Sequence, residues 1–475
     1  MGNLKDLQIL TVFVVDKHTA RDNLLELKKL QNLCGRLCIS GLGDVVHGSA
    51  LEAHILRDKK FLSDLVLNWG GRHDSEVGNN TVDEIEVLEK LQPHPNLERL
   101  IVTDYGGRFF PGWSGYYTSL RPRKALVYLE LVDCVNCVSL PPLGQLPCLR
   151  ELDISGLHGV LSIGSEFYYG DNTTRANKPF RSLQSLRFYD MSGWQEWCHV
   201  GGEEDEGGVF PSLVQLDVSD CPNLSGRLAL DSFPMLKEVD LIRTNLSLVT
   251  RSRDSKLSLN QLRLQSCSKV VAFPSGGLHA PNLTEIEIRR YEKLSSLPEQ
   301  METLLPSLVS LSLWDCPELE CVPEGGFPSK LKSLNIMDSK KLNAKSTQNM
   351  NKALRRLTSL EELRLDFDCD EECEKVDWFS EGLLPSTLDY LLIHRLKCEA
   401  IDGAKWFGHL NSLRSLEISN CSSLRCLPDC GLPSSLTHLF IHGCPLLEKR
   451  CQRETGEDWS KIAHISMILI DWHTI

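Results

Sequence analysis

Cysteine and histidine spacing is the first place where this sequence offers chemistry. Cys134-x-x-Cys137 has the gap of a zinc-binding pair, and Cys369 with Cys373 and Cys426 with Cys430 approach it loosely. A structural zinc needs four convergent ligands, and none of these pairs has a second, properly placed pair to complete the set. The phosphate-binding phrase GxxxxGK[ST] and the zinc-protease phrase HExxH do not occur. His394-Arg395-Leu396 touches the kinase catalytic-loop phrase but lacks its Asp. Ser, His and Asp are common enough for a triad to be drawn on paper, yet nothing in their spacing selects one. No catalytic, cofactor or metal residue is therefore expected, and the chain is read as non-enzymatic.

Composition narrows the classes further. The 475 residues carry Lys+Arg 51 against Asp+Glu 64, a net charge of −13. That balance argues against general nucleic-acid binding, which needs clustered cations to offset phosphate. No run of about 20 apolar residues occurs, so no membrane-spanning helix is expected. The opening MGNLKD lacks the charged head and apolar stretch of a secretory signal, and Asp6 stands where myristoylation wants Ser or Thr. Eighteen Cys without such a signal fit reduced thiols, which points to the cytoplasm.

The elements that position these residues come from a repeat. The phrase LxxLxLxxCxxL recurs throughout, most clearly as LVYLELVDCVNC from Leu126, LVQLDVSDCPNL from Leu213, LVSLSLWDCPEL from Leu308 and LRSLEISNCSSL from Leu413. Its period matches the leucine-rich repeat, with roughly 16 or 17 copies over residues 1–450. Alternation within xLxLx places two apolar side chains in a core and their neighbours in solvent, and stacking the units makes the core continuous. The expected fold is α/β: a curved leucine-rich-repeat solenoid with a parallel sheet on its concave face and irregular, partly helical returns. Cys134, Cys221, Cys267, Cys316, Cys421 and Cys444 fall where each strand turns inward and are expected to be buried structural thiols.

Capping-box patterns predict return helices from Ser49 with Glu52, running over Leu51, Ile55 and Leu62, and from Thr81 with Glu84, ending before Pro93. A further helix is expected across Thr347 to Leu357. Leu-Pro and Val-Pro pairs favour extended returns elsewhere. Insertions near 158–182, 198–210 and 366–377, rich in Gly or like charges, are expected to be solvated loops. Residues 451–475, with Trp459, Ile462, Ile465 and Ile468, are expected to cap the last repeat, whereas the first strands, from Leu4, are expected to present an open apolar edge.

Several phrases are more specific than a Leu pattern. LKDLQILTVFVVDK, LLELKKLQNLCGRLCISGL, LPPLGQLPCLRELDISGL followed by SIGSEFYYG, and CPLLEKRCQRETGEDWSKIAHI together span nearly the whole length. On these phrases the chain resembles the leucine-rich-repeat region of plant intracellular disease-resistance proteins of the coiled-coil, nucleotide-binding, leucine-rich-repeat type. The resemblance implies a recognition module for a pathogen effector or a guarded host protein, in contact with the nucleotide-binding domain of an intact receptor. Any nucleotide would bind that other domain, so no cofactor is expected on these residues. A ubiquitin-ligase-type substrate adapter, or a scaffold or inhibitor without signalling, is the alternative.

The recognition surface is expected on the strand-bearing face. The residue after the third Leu of the phrase gives an outward column of Arg289, Trp314, Met337, Asp366 and His394, and the next position gives Arg290, Asp315, Asp338, Phe367 and Arg395. Tyr390 joins this face, and His438, Phe440 and His442 form a second patch. Trp flanked by Arg is the composition of a contact hot spot.

Overall fold

The computed structural model describes residues 4–16, 20–45, 55–70, 81–111, 126–169, 178–198, 208–250, 252, 255–267, 273, 276–323, 325–339, 341–342, 347–367 and 384–474. Two compact units divide the chain, Met1–Leu246 and Ser247–Ile475. In the N-terminal unit the strands Val12–Val14, Cys34–Ser40, Phe61–Asn68, Arg99–Thr103, Tyr128–Val132, Glu151–Ser155, Ser185–Tyr189, Gln215–Ser219 and Glu238–Ile242 pair in that order, all parallel. In the C-terminal unit Gln261–Gln265, Glu285–Arg289, Ser310–Trp314, Ser333–Met337, Glu362–Asp366, Tyr390–His394, Ser415–Ser419, His438–His442 and Met467–Ile470 do the same. The fold is the α/β leucine-rich-repeat solenoid.

Both units are built from the same apolar columns. Leu152, Leu186 and Leu216 are register partners and fully buried, as are Leu311, Leu334 and Leu363. Burying one such leucine contributes about 1.5–3 kcal/mol, so the stack is held mainly by its repeat count rather than by any single contact. The ladder cysteines sit behind these columns. Each donates its thiol to the carbonyl two residues earlier, as in Cys221 to Ser219 (3.3 Å) and Cys444 to His442 (3.4 Å). Their sulfurs also accept from the preceding repeat: the Cys421 amide donates to Cys444 Sγ at 3.3 Å. Burial pushes the Cys134, Cys221 and Cys316 thiols up, Cys221 to about 12, so these are neutral donors, whereas the hydrogen bond with Cys421 lowers Cys444.

Most of these strands leave the sheet through a left-handed residue. Asp104, Asp133, Asp190, Asp220 and Arg243 in the first unit, and Ser266, Arg290, Asp315, Asp338, Arg395 and Asn420 in the second, have φ between 50° and 60°. Asp and Asn tolerate this region and glycine favours it. Gly156 and Gly443 take the same position, where a Cβ would collide with Asp133 Oδ1 and Asn420 Oδ1 of the adjacent repeat. The supposed second outward column is therefore a ladder of turns. Phe367, assigned to that column, is buried against Trp406 at 5.9 Å.

The returns correct three expectations. Within 158–182, Ser162–Ile163 is a strand and Ser165–Tyr169 a helix, and Phe167, Tyr168 and Tyr169 are buried. Ser162–Ile163 pairs with Glu196–Trp197, which pairs with Ser225–Ala229, so this stretch of returns is a second small parallel sheet. Phe167, Phe180, Phe188 and Phe210 are buried and pack in a chain of ring contacts, and Trp197 Nε1 donates to the Tyr168 hydroxyl at 2.7 Å. Of the other insertions, Phe210, Asp366 and Phe367 are buried, while 199–207 and 368–383 lie outside the described residues.

Thr81–Lys90 and Thr347–Leu354 are helices. Leu62 instead belongs to the strand Phe61–Asn68, and 46–54 lie outside the described residues. The helix Ala20–Lys29 was not anticipated. Beyond its end, buried Lys59 donates to the carbonyls of Leu27 (2.8 Å) and Leu30 (2.7 Å). Burial lowers the Lys59 pKa to about 8.

Candidate functional site

On the C-terminal unit, outward side chains fall in three columns set by the parallel register. The middle column reads Arg263, Glu287, Ser312, Asn335, Arg364, Leu392, Glu417 and Phe440. Ser310, Ser333, Tyr390, Ser415 and His438 lie on one side of it, and Arg289, Trp314 and Met337 on the other.

Arg289 and Trp314 are direct register neighbours, and both are exposed. The Arg289 guanidinium lies 5.9 Å from the Trp314 ring centre and 2.5 Å from Glu287. Trp314 keeps 43% of its surface open, with Arg289 and Met337 as its lateral register partners and Ser312 two residues before it on the same face of the strand. Met337, expected to extend this patch, is instead 6% exposed and belongs to the core. Arg290 is exposed, with its amide donating to the Trp314 carbonyl at 2.7 Å.

Arg395 is engaged by two acids of its own unit. Its Nε donates to Asp366 Oδ1 at 3.0 Å, and its terminal nitrogen bridges Asp338 and Asp366. Asp366 turns inward and accepts the Asp338 amide at 2.9 Å. This buried acid in an outward position is retained by the cation that covers it.

Tyr390 and His442 converge on an acid that the sequence reading missed. Glu417 accepts the Tyr390 hydroxyl and lies 3.6 Å from His442 Nε2. Arg364 stacks over Tyr390 at 4.8 Å, and the His442 ring stacks on Trp472 at 5.0 Å. Trp472 is 79% exposed, lies outside the repeat phrase, and carried no signal that would have placed it here. His438 stacks on Phe440 at 6.4 Å. Burial raises the Tyr390 pKa, and the hydrogen bond to Glu417 adds to the rise.

His394 Nδ1 lies 2.7 Å from Ser419 Oγ, and Asp366 and Ser419 are its register neighbours on either side. Burial lowers the His394 pKa. Although this is an Asp, His and Ser in a row, Ser419 is 2% exposed, which leaves its hydroxyl no access to a substrate carbonyl. Cys134 and Cys137 are buried and donate to backbone carbonyls of Val132 and Ser139. Among the described residues no group of three His, Cys, Asp or Glu is placed to hold a metal, and Cys369 and Cys373 lie outside them.

A family profile described as R13L1/DRL21 LRRs matches residues 24–157 and 329–444. The chain is 38% identical over 312 residues to disease resistance RPP13-like protein 1 of Arabidopsis thaliana, covering 63% of this chain and 29% of that protein. It is 30% identical over 468 residues to disease resistance protein RGA4 of Solanum bulbocastanum, covering 98% of this chain and 37% of that protein. The chain thus spans well under half the length of either relative.

Proposed function

The chain belongs to the R13L1/DRL21 leucine-rich-repeat family of plant disease-resistance proteins, and from that premise we propose that it is the recognition module of an immune receptor. Its strand-bearing face binds a pathogen effector or a guarded host protein, and the same module restrains a nucleotide switch carried elsewhere in the receptor. The observation that carries this reading is the exposed Trp314 held beside Arg289 on the outward face of the sheet. A large open aromatic is costly in water unless a partner covers it, and Trp with Arg is the pair that dominates contact energies. The described residues hold no helix long and apolar enough to cross a membrane.

The test uses a full-length receptor carrying this region, expressed in leaf tissue with its eliciting pathogen protein. Trp314→Ala and Arg289→Glu are expected to weaken co-precipitation by about tenfold or more, at unchanged accumulation of the receptor. Unchanged binding by both variants removes this patch as the contact.

A further inference from the structure

The N-terminal unit carries a different and unassigned surface. Its middle outward column is continuous through nine strands: Val12, Cys38, Val66, Ile101, Glu130, Asp153, Arg187, Asp217 and Asp240 are successive register partners. One half is apolar and the other carboxylate. Val12 is 52% exposed and Val14, on the same strand and face, 67%. The acidic half widens through Glu151 and Glu238 in the adjoining column.

Over the strands from Tyr128 to Ile242 these two columns hold the carboxylates Glu130, Glu151, Asp153, Asp217, Glu238 and Asp240, against Arg187 alone. Arg187 lies 3.6 Å from Asp153, a loose contact. The Tyr128 hydroxyl lies 2.9 Å from Glu130 and 3.1 Å from Asp153, and its single proton can serve only one of them. Asp153 Oδ1 is shielded from solvent and has no hydrogen-bond partner. Asp217 is desolvated enough to raise its pKa. Such a face is short of cations, and an incoming guanidinium would be bound by charge-assisted bonds in a half-dry setting.

We propose that this face of the N-terminal unit docks an extended protein segment with apolar residues at one end and Arg or Lys at the other, lying across the strands. At about 4.8 Å per strand the column is roughly 38 Å long, which an extended segment of about a dozen residues spans. Apolar side chains cover Val12, Val66 and Ile101, and the basic end neutralises Glu130, Asp153 and Asp217. The inference does not depend on the Trp314 patch.

The probe is a synthetic peptide of about that length, with alternating Leu and Val in its first third and Arg at alternate positions in its last half, titrated against the full chain by calorimetry. A peptide of the same composition in scrambled order is the control. Asp153→Asn combined with Asp217→Asn, and separately Val66→Lys, are each expected to weaken binding of the ordered peptide about tenfold, and the Asn pair to flatten its salt dependence. Trp314→Ala is expected to leave it unchanged. Failure of the ordered peptide to bind, equal binding of the scrambled peptide, or indifference to both sets of variants overturns the proposal.

Discussion

The two units share one core and differ in what they lay over it. Behind the sheet, Leu216 and Leu311 occupy the same place in the phrase and are equally buried. In front of it, the C-terminal unit answers nearly every charge. Glu287 meets Arg263 at 3.3 Å and Arg289 at 2.5 Å, Glu362 meets Arg364 at 2.7 Å, and Glu417 takes Tyr390 and His442. On the N-terminal unit, where Arg99 and Arg243 pair with Asp64 and Asp220, the two columns over the strands from Tyr128 to Ile242 instead accumulate carboxylates with Arg187 as the cation among them. The outward positions of a repeat are thus free to diverge because the inward ones carry the fold. One face has its charges largely paired and leaves Trp314 open, while the other carries an excess of carboxylates.

The largest expected effects test the shared half of that comparison. Leu216→Ala in the first unit, and Leu311→Ala or Leu416→Ala in the second, should each cost about 2–5 kcal/mol through lost burial and a residual cavity. Ser312→Ala, one residue from Leu311 but outward, should change stability by less than about 0.5 kcal/mol. Chemical denaturation of the full chain measures all four, and equal costs for Leu311 and Ser312 would refute the inward and outward assignment.

A smaller effect belongs to the end of the C-terminal unit. Ile462, Ile465 and Ile468 are buried, Met467–Ile470 adds one more parallel strand, and His473–Thr474 folds back against it. Asp458, 1% exposed, ties this segment down: it accepts Arg450 Nε at 3.0 Å, Lys461 Nζ at 2.9 Å and the Leu427 amide at 3.0 Å. Burial opposes its ionisation, and the bonds from Arg450, Lys461 and Leu427 outweigh burial, so its carboxyl lies below the usual range. A depressed folded pKa gives stability that is present above the unfolded value of 3.8 and lost as pH falls through the folded one. Asp458→Ala should cost about 2 kcal/mol at neutral pH, discounted for the partly exposed Arg450, and lose that cost in acid. Thermal melts at a series of pH values check this; a cost that does not shrink in acid would mean the ion pairs are not its source.

Sequence periodicity was enough to find the strands, because a Leu pair at alternate positions has only one way to face a core. It was not enough for the outward columns. Met337 and Phe367 stand one and two places beyond an inward residue, and pattern alone cannot tell a wet position from one that a neighbouring return covers. The left-handed turns were signalled by Asp, Asn or Gly before the ladder cysteine, but that signal was read as strand. SEFYY looked like a loop because its Gly and Asn neighbours suggested one, although three consecutive aromatics argue for burial. Asp458 and Glu417 were invisible for a different reason: their roles depend on partners 31 and 27 residues away.

The subtlest expected effect is one of sign, and it separates the two faces most sharply. Burial raises the Asp217 pKa, so just above pH 3.8 the folded state holds a proton that the unfolded state has released. Stability therefore declines as pH rises through that window, and the penalty is complete above the folded pKa. Asp217→Asn keeps an oxygen that can accept the Ser219 hydroxyl while removing the charge, and should stabilise the N-terminal unit at neutral pH by about 0.5 kcal/mol. Glu287→Gln removes the partner of two arginines and should destabilise the C-terminal unit by about 0.5–1 kcal/mol. Amide exchange read separately over residues 185–242 and 261–314 resolves the two responses in the intact chain. Added salt should shrink the second, which breaks an attraction, more than the first, whose main source is burial. If the two substitutions shift protection in the same direction, the faces do not differ in charge balance, and the cationic segment loses its reason to prefer the N-terminal one.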